Sequence, residues 1–446
     1  MMSRRRHYWT LLRASFWFVP GVMAVAYGAL AAGLLVIDSS LAPAFEDSIY
    51  SGGADGARAL LSTVAGSMVT VAGVGFSITI VALVLASTQF GPRLLTLFMR
   101  DLTSQVTLGT FAGTFIYCVL VLRSVRGVEE GGAPFIPAIS ITAAILLTLV
   151  SVAALVLFFH HVAVSIQAPK LVATVARDLD RAIDVLYPSA LGRGGPEPDP
   201  DLVPSIQRDA VIAAAANGYL QVVDDAALLV LAERHDVVVR LLARPGLFLI
   251  RGNPVIVVRP AAAVDPDVAQ ALRSTLILGD VRTAEDDIEF SVRQLVEVAL
   301  RALSPAINDP FTAMAAVDWL SGALARLATE DFPSRYRYDE SGRLRVVADI
   351  STFPGIVHTI FSRIRHYGGD SPVVLNRLLE GVAGFGPHIR DESDRQQVRL
   401  EIEAVMETGR ARIRSEVDLD ELERRHQAAL AALAAPTTEE RETAAP

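Results

Sequence analysis

Four stretches of this chain hold no Asp, Glu, Lys or Arg: Ala14–Ile37, Ala59–Pro92, Leu102–Leu122 and Gly131–Pro169. About 20 apolar residues in a helix cross the hydrocarbon core of a bilayer. Each stretch reaches that length, and the second and fourth are long enough to tilt or to extend beyond it. The pattern predicts membrane-spanning helices near 16–37, 62–88, 105–123 and 138–164. Arg4, Arg5 and Arg6 precede the first, as in a signal peptide. Its apolar run exceeds the roughly 7–15 residues of a signal core, so it is read as an anchor.

After Pro169 the pattern changes. Leu171, Val175, Leu179, Ile183 and Leu186 recur at helical spacing between charged residues, which predicts an amphipathic connector. Pro169 suits its first turn. The segment PSALGRGGPEPDPDLVP (188–204) reads as a linker. Tyr219–Val223, Val237–Ala243, Leu247–Arg251 and Val255–Val258 read as strands, with a short helix capped by Asp224 or Asp225 and running through Glu233. Glu289, Arg293, Glu297 and Arg301 stand four apart in an amphipathic helix over 286–304, a salt ladder expected on a solvated or subunit-facing side. Asp339–Gly342 reads as a hairpin turn, followed by helices near 353–366, 371–383, 392–414 and 417–434.

The expected layout is a four-helix transmembrane domain (1–168), an amphipathic connector helix and Pro/Gly-rich linker (169–205), and a small mixed α/β module (206–262). A helical module (263–335), a hairpin and helical C-terminal module (336–434) and a disordered tail (435–446) follow. The fold class is an α-helical integral membrane protein with four transmembrane helices, followed by a mixed α/β and then mainly α-helical cytosolic region.

Composition sharpens this division. Of 446 residues, 52% are apolar and only 20% charged, against about 25% charged in soluble domains. Residues 1–169 carry nine Lys+Arg and seven Asp+Glu, whereas 170–446 carry 31 and 42. A near-neutral front half joined to an acidic back half argues against nucleic acid as a partner, because phosphate binding needs a basic surface. Cys118 is the only cysteine, which excludes an intrachain disulfide and cysteine-built zinc or iron–sulfur sites. Lys170 is the only lysine, so no Walker-type phosphate loop can be written. No metal or cofactor is expected.

Arg4, Arg5, Arg6, Arg13, Arg93, Arg100, Lys170, Arg177 and Arg181 flank the spans on one side, and only Arg58, Arg123 and Arg126 on the other. The positive-inside rule makes the first side cytosolic. The expectation is a multi-pass protein of the cytoplasmic (inner) membrane with both termini in the cytosol.

The second span carries the most informative pattern. Thr63, Gly66, Ser67, Thr70, Gly73, Ser77 and Thr88 share one face about 120° wide with Val74, Val81 and Val84. Such a stripe is either a helix-packing seam or a water-accessible wall, with valines as a dewetting constriction. Thr63, Ser67, Thr70, Ser77, Val81, Val84, Thr88 and Gln89 are the candidate pore-lining residues. His160 and His161 are candidate pH-responsive groups near the cytosolic end of the fourth span, about 100° apart and so unsuited to one metal.

In the segment 302–313, ALSPAINDPFTA, Asp309 can cap a helix that Pro310 begins. Together with GDVRTAEDDIEF (279–290), ASTQFGPRLL (86–95) and FFHHVAVSIQ (158–167), this segment resembles an uncharacterised family of bacterial membrane proteins, domain of unknown function twenty-two fifty-four. The resemblance covers nearly the whole chain except the C-terminal tail. It implies four spans with a cytosolic region, and it points to Arg282, Thr283, Asp286, Asp287, Asn308 and Asp309 as a candidate polar cluster; it brings no catalytic role.

No HExxH, GxSxG or full GxGxxG motif is present, and the sequence leans away from an enzyme. The leading expectation is an oligomeric channel or channel-like conductance protein with a cytosolic regulatory or assembly region. It is expected to associate with lipid and with copies of itself. The alternative is a non-conducting, membrane-anchored sensor or scaffold whose cytosolic modules bind a protein or small ligand of unknown identity.

Overall fold

The apolar runs form helices. A computed structural model describes residues 16–45, 52–90, 101–127, 135–165, 167–186, 193–282, 288–330 and 332–436. The chain divides into two compact units, Met1–Lys170 and Leu171–Pro446.

The described residues of the first unit form α1 (Phe18–Phe45), α2 (Gly53–Phe90), α3 (Leu102–Ser124) and α4 (Ala138–Ser165). All four contain a segment long and apolar enough to cross a membrane. α3 is the central helix: 61% of its apolar window is buried, against 11–22% in the other three. The buried cluster around it joins Ala31 of α1, Leu61 and Ala65 of α2, Tyr117, Cys118 and Val121 of α3, and Ile141 and Ala144 of α4. At 1.5 Å per residue the 38 residues of α2 extend about 57 Å, well beyond a hydrocarbon core of about 30 Å.

α3 meets α1 at very short range. A Cβ on Gly113 would lie 2.7 Å from the Tyr27 ring, and one on Gly109 would lie 2.6 Å from Met23 Sδ and 3.2 Å from the Pro20 backbone. Gly109 and Gly113 are four apart, the spacing that lets two membrane helices approach backbone to backbone. The sequence pattern ends the first span before Asp38, but α1 continues through it. The Asp38 carboxylate is buried and accepts from the N–H groups of Ile139 and Ser140, each at 3.0 Å, and from Ser140 Oγ at 2.5 Å. It thereby satisfies donors that the first turn of α4 leaves without helical partners.

The second unit begins in α5 (Ala168–Leu186), whose Leu171, Val175, Leu179 and Ile183 are buried. Its strands are β1 (Arg193–Gly194), β2 (Ala210–Ala213), β3 (Gly218–Val223), β4 (Val238–Leu241), β5 (Phe248–Leu249), β6 (Pro254–Arg259), β7 (Leu276–Gly279), β8 (Tyr336–Tyr338) and β9 (Leu344–Val347). The larger sheet has the order β1-β8-β9-β4-β6-β2, and the smaller the order β5-β3-β7. Every pairing is antiparallel except β4 with β9. The hairpin 336–347 thus lies in the same sheet as strands from 210–259.

Two helices accompany these strands, α6 (Asp225–Arg234) and α7 (Pro266–Arg273). Leu228, Ala232, Val268 and Leu272 from them bury against Val239, Leu241, Ile256 and Val258. The helical remainder is α8 (Ile288–Ala302), α9 (Pro310–Leu327), α10 (Phe353–Gly368), α11 (Pro372–Phe385), α12 (Glu392–Arg412) and α13 (Glu416–Ala434). Side-chain caps fix their starts: Asp309 accepts from Thr312 N at 3.1 Å, Asp391 from Ser393 N at 2.7 Å and Ser415 from Asp418 N at 3.3 Å. The expected tail beyond Pro436 lies outside the described residues.

Candidate functional site

Two regions hold candidate functional residues, one in each unit. In the membrane unit it is the outer face of α2. Ala57, Leu61, Ala65, Met68, Gly75, Ala82 and Ala86 are the buried side of this helix. Thr63, Ser67, Thr70, Ser77, Val81, Val84 and Thr88 are all exposed, together with Gly66, Gly73 and Val74. At 100° per residue the two sets are centred about 180° apart. Gln89 falls in the last turn of α2, with its side chain outside the described residues.

Most hydroxyls on that face, those of Thr63, Ser67, Thr70 and Thr88, donate to carbonyls of their own helix. Thr63 Oγ1 donates to Ala59 O at 2.7 Å, Ser67 Oγ to Thr63 O at 2.8 Å and Thr70 Oγ1 to Gly66 O at 3.1 Å. Such back-bonding lets hydroxyls sit in an apolar medium without an orphaned donor, while their oxygens still accept from a neighbouring helix or water.

At the end of the bundle where α3 starts, Asp101 caps α3 through Ser104 N at 3.0 Å and accepts from Ser104 Oγ at 2.6 Å. His161 Nε2 lies 3.0 Å from both oxygens of the same carboxylate. His160 is exposed, so the adjacent histidines face different surroundings. Within the bundle, Thr114 and Ser151 pair through their hydroxyls at 3.0 Å, and Tyr117 OH donates to Ser140 O at 2.9 Å.

The polar cluster expected around 282–309 is described only in part. Thr283, Asp286 and Asp287 lie outside the described residues, and Arg282 is half-buried at their edge. Asn308 and Asp309 have local backbone roles. Asn308 adopts φ 49°, a left-handed conformation that asparagine tolerates better than most side chains. Its N–H donates to Ser304 O at 2.8 Å, and Asp309 N donates to Ala302 O at 2.7 Å, closing α8 before Asp309 caps α9.

In the second unit the structure assembles a group that the sequence pattern leaves scattered. Glu289, read as part of a solvated or subunit-facing ladder, is 4% exposed. It accepts from Arg244 Nη2 at 2.6 Å, Arg293 Nη2 at 2.8 Å and Ser351 Oγ at 3.2 Å. Arg244 also donates to Asp349 at 3.1 Å. Burial pushes the Glu289 carboxyl up, but the two guanidiniums outweigh it and hold it below the ordinary carboxylate range. A four-residue spacing identifies Arg293 as a partner; it gives no sign of Arg244, 45 residues away in sequence.

Arg244 and Asp349 line a cavity of about 200 Å³ whose walls include Leu228, Leu241, Val346 and Ile350. Arg337 of β8 also lines it. No group of three or more His, Cys, Asp or Glu able to hold a metal occurs among the described residues.

Four apolar, membrane-length helices followed by a sheet-containing and then helical region define a membrane protein. The family described as predicted membrane protein DUF2254 matches residues 13–383, and the chain belongs to that family. An uncharacterized protein of Mycobacterium bovis is 34% identical over 426 residues, covering 94% of this chain and 80% of its own. Two uncharacterized proteins from strains of Mycobacterium tuberculosis are 34% and 33% identical over the same length and coverage. No solved structure matches the chain.

Proposed function

We propose that the protein is a homo-oligomeric, channel-like conductance protein of the bacterial cytoplasmic membrane, with α2 of each copy turned towards the shared axis. The exposed face of α2 carries this reading. α4 exposes Leu146, Leu149, Val156 and Leu157, and α1 exposes Val25 and Val36. Those side chains are bulky and suit lipid chains, although α1 also exposes Gly21 and Gly33. One face of α2 exposes glycine, serine and threonine along 63–77 with Val74 among them and Val81 and Val84 beyond, while Val69, Phe76 and Ile80 are exposed beside it. Small residues gain little from lipid contact but permit close helix approach or a hydrated wall. A closed ring of identical subunits uses one such face on every copy. The second unit then serves as a cytosolic regulatory or assembly region.

The face has hydroxyls and no carboxylates, so weak discrimination among small ions follows. Purified protein reconstituted into planar bilayers tests conduction: step-like currents that fall when Ser67 and Ser77 become leucine support it. Silence under every ion gradient and pH removes it. The non-conducting alternative, a membrane-anchored sensor, is favoured by a separate observation, the cavity in the second unit.

A further inference from the structure

The cavity beside β8 and β9 is lined by two arginines in different electrostatic situations. Arg244 is neutralised by Glu289 and Asp349, at 2.6 and 3.1 Å. Arg337 is half-buried and has no hydrogen-bonded carboxylate among the described residues; Asp225 acts on it only across space. Burial accordingly pushes the Arg337 guanidinium below its ordinary value, with Asp225 pulling back against that shift. The Arg337 guanidinium nitrogens are not among the buried, unpartnered polar atoms of the described residues, so they reach solvent and stay open to an anionic partner.

Much of the remaining wall is apolar, including Leu228, Leu241, Val346 and Ile350, beside Asp225, Asp349 and Ser351. We propose that this cavity binds a small organic monoanion, with its carboxylate on Arg337 and its apolar body against those four side chains. A single negative charge fits better than a phosphate dianion, because Asp225 and Asp349 also line the space and would repel the second charge. An engineered cavity of about 150 Å³ admits benzene. At about 200 Å³ this one suits a body of about six to ten non-hydrogen atoms, the size of an aromatic or branched aliphatic acid. This inference is independent of conduction by the membrane unit.

The test is calorimetric titration of the full-length protein in nanodiscs with four probes: benzoate, 4-methylpentanoate, L-leucine and the uncharged isostere benzamide. At least one carboxylate binds, and benzamide binds at least tenfold more weakly than benzoate. Arg337→Gln weakens the carboxylate at least tenfold, and Arg337→Lys recovers part of the loss. Leu229→Trp, which adds bulk to the cavity from a half-buried lining position, abolishes binding while Arg337 stays in place, so the proposal does not depend on one variant. L-leucine binding more tightly than 4-methylpentanoate, with the same dependence on Arg337, supports the carboxylate seat and identifies an amino acid as the source. Three results overturn the proposal: no binding of any acid at 10 mM (about the weakest affinity calorimetry reads), equal binding to Arg337→Gln, or equal binding of benzamide and benzoate.

Discussion

Replacing Glu289 with leucine removes the acid that two arginines share. Glu289 is 4% exposed and takes its two guanidinium contacts at 2.6 and 2.8 Å. Arg244 keeps Asp349, but Arg293 loses this partner while its buried Nε already has none among the described residues. Removing one member of a buried, hydrogen-bonded charge group costs about 3–5 kcal/mol. Hydrogen–deuterium exchange of the α8 amides in detergent-solubilised full-length protein reads this locally, without requiring the two units to unfold together. Protection in α8 falls by about two to three and a half decades at 1.4 kcal/mol per decade, while α3 is unchanged. Glu289→Gln keeps an acceptor and loses about half as much. The pH dependence has a defined sign. The folded Glu289 carboxyl titrates below its unfolded value, so its contribution is complete above the ordinary carboxylate range and is lost as pH falls through the lowered folded value. Wild-type α8 therefore loses protection on acidification, and the leucine variant lacks that component. A loss of protection below about tenfold in Glu289→Leu would refute the reasoning, because it would mean that Arg244 and Arg293 do not need this acid.

Other positions give equally concrete outcomes. Gly113→Ala drives a methyl into the Tyr27 ring at 2.7 Å and separates α1 from α3; a loss of about 1–3 kcal/mol in detergent melts is expected, and an unchanged melt contradicts the close approach. Burial, with a smaller push from Asp391, raises Asp394 to about 6. The folded state then holds its proton more tightly than the unfolded chain, and stability falls as pH rises from about 4 towards 6. Asp394→Asn should gain about 1–2 kcal/mol at pH 7, after allowance for solvent screening, and nothing below about pH 4, as denaturation curves at the two pH values would show. Asp101→Ala removes the α3 cap and the acid facing His161, and should cost about 1 kcal/mol, with increased amide exchange confined to the first turn of α3.

The spans are legible because lipid imposes a length and excludes charge, a constraint written in consecutive residues. Their ends are less so. Asp38 resembles the start of a loop, yet the N-terminal amides of α4 solvate it, and that pairing joins residues about 100 positions apart. Short strands such as β2 and β7 escape detection, whereas Asp339–Gly342 marks its hairpin through turn chemistry. The α2 face is visible at helical spacing, but only the structure shows that its opposite side is the one packed on α3. Glu289 marks the limit of pattern reading, since an acid–base ladder looks the same whether water or Arg244 completes it. Arg337 is one of 39 arginines with nothing in the sequence to distinguish it; β8 and β9 bring it to the cavity.

The central claim is that copies of this chain meet through the glycine, serine and threonine face of α2. Native mass spectrometry of the protein in nanodiscs, combined with disulfide trapping of single cysteines introduced at positions 66, 70, 73 and 149 in a Cys118→Ala background, tests it most directly. The account predicts one defined oligomer, with crosslinks from the three α2 positions and none from position 149 on α4. A monomer, or crosslinks that form only through α4, would contradict it.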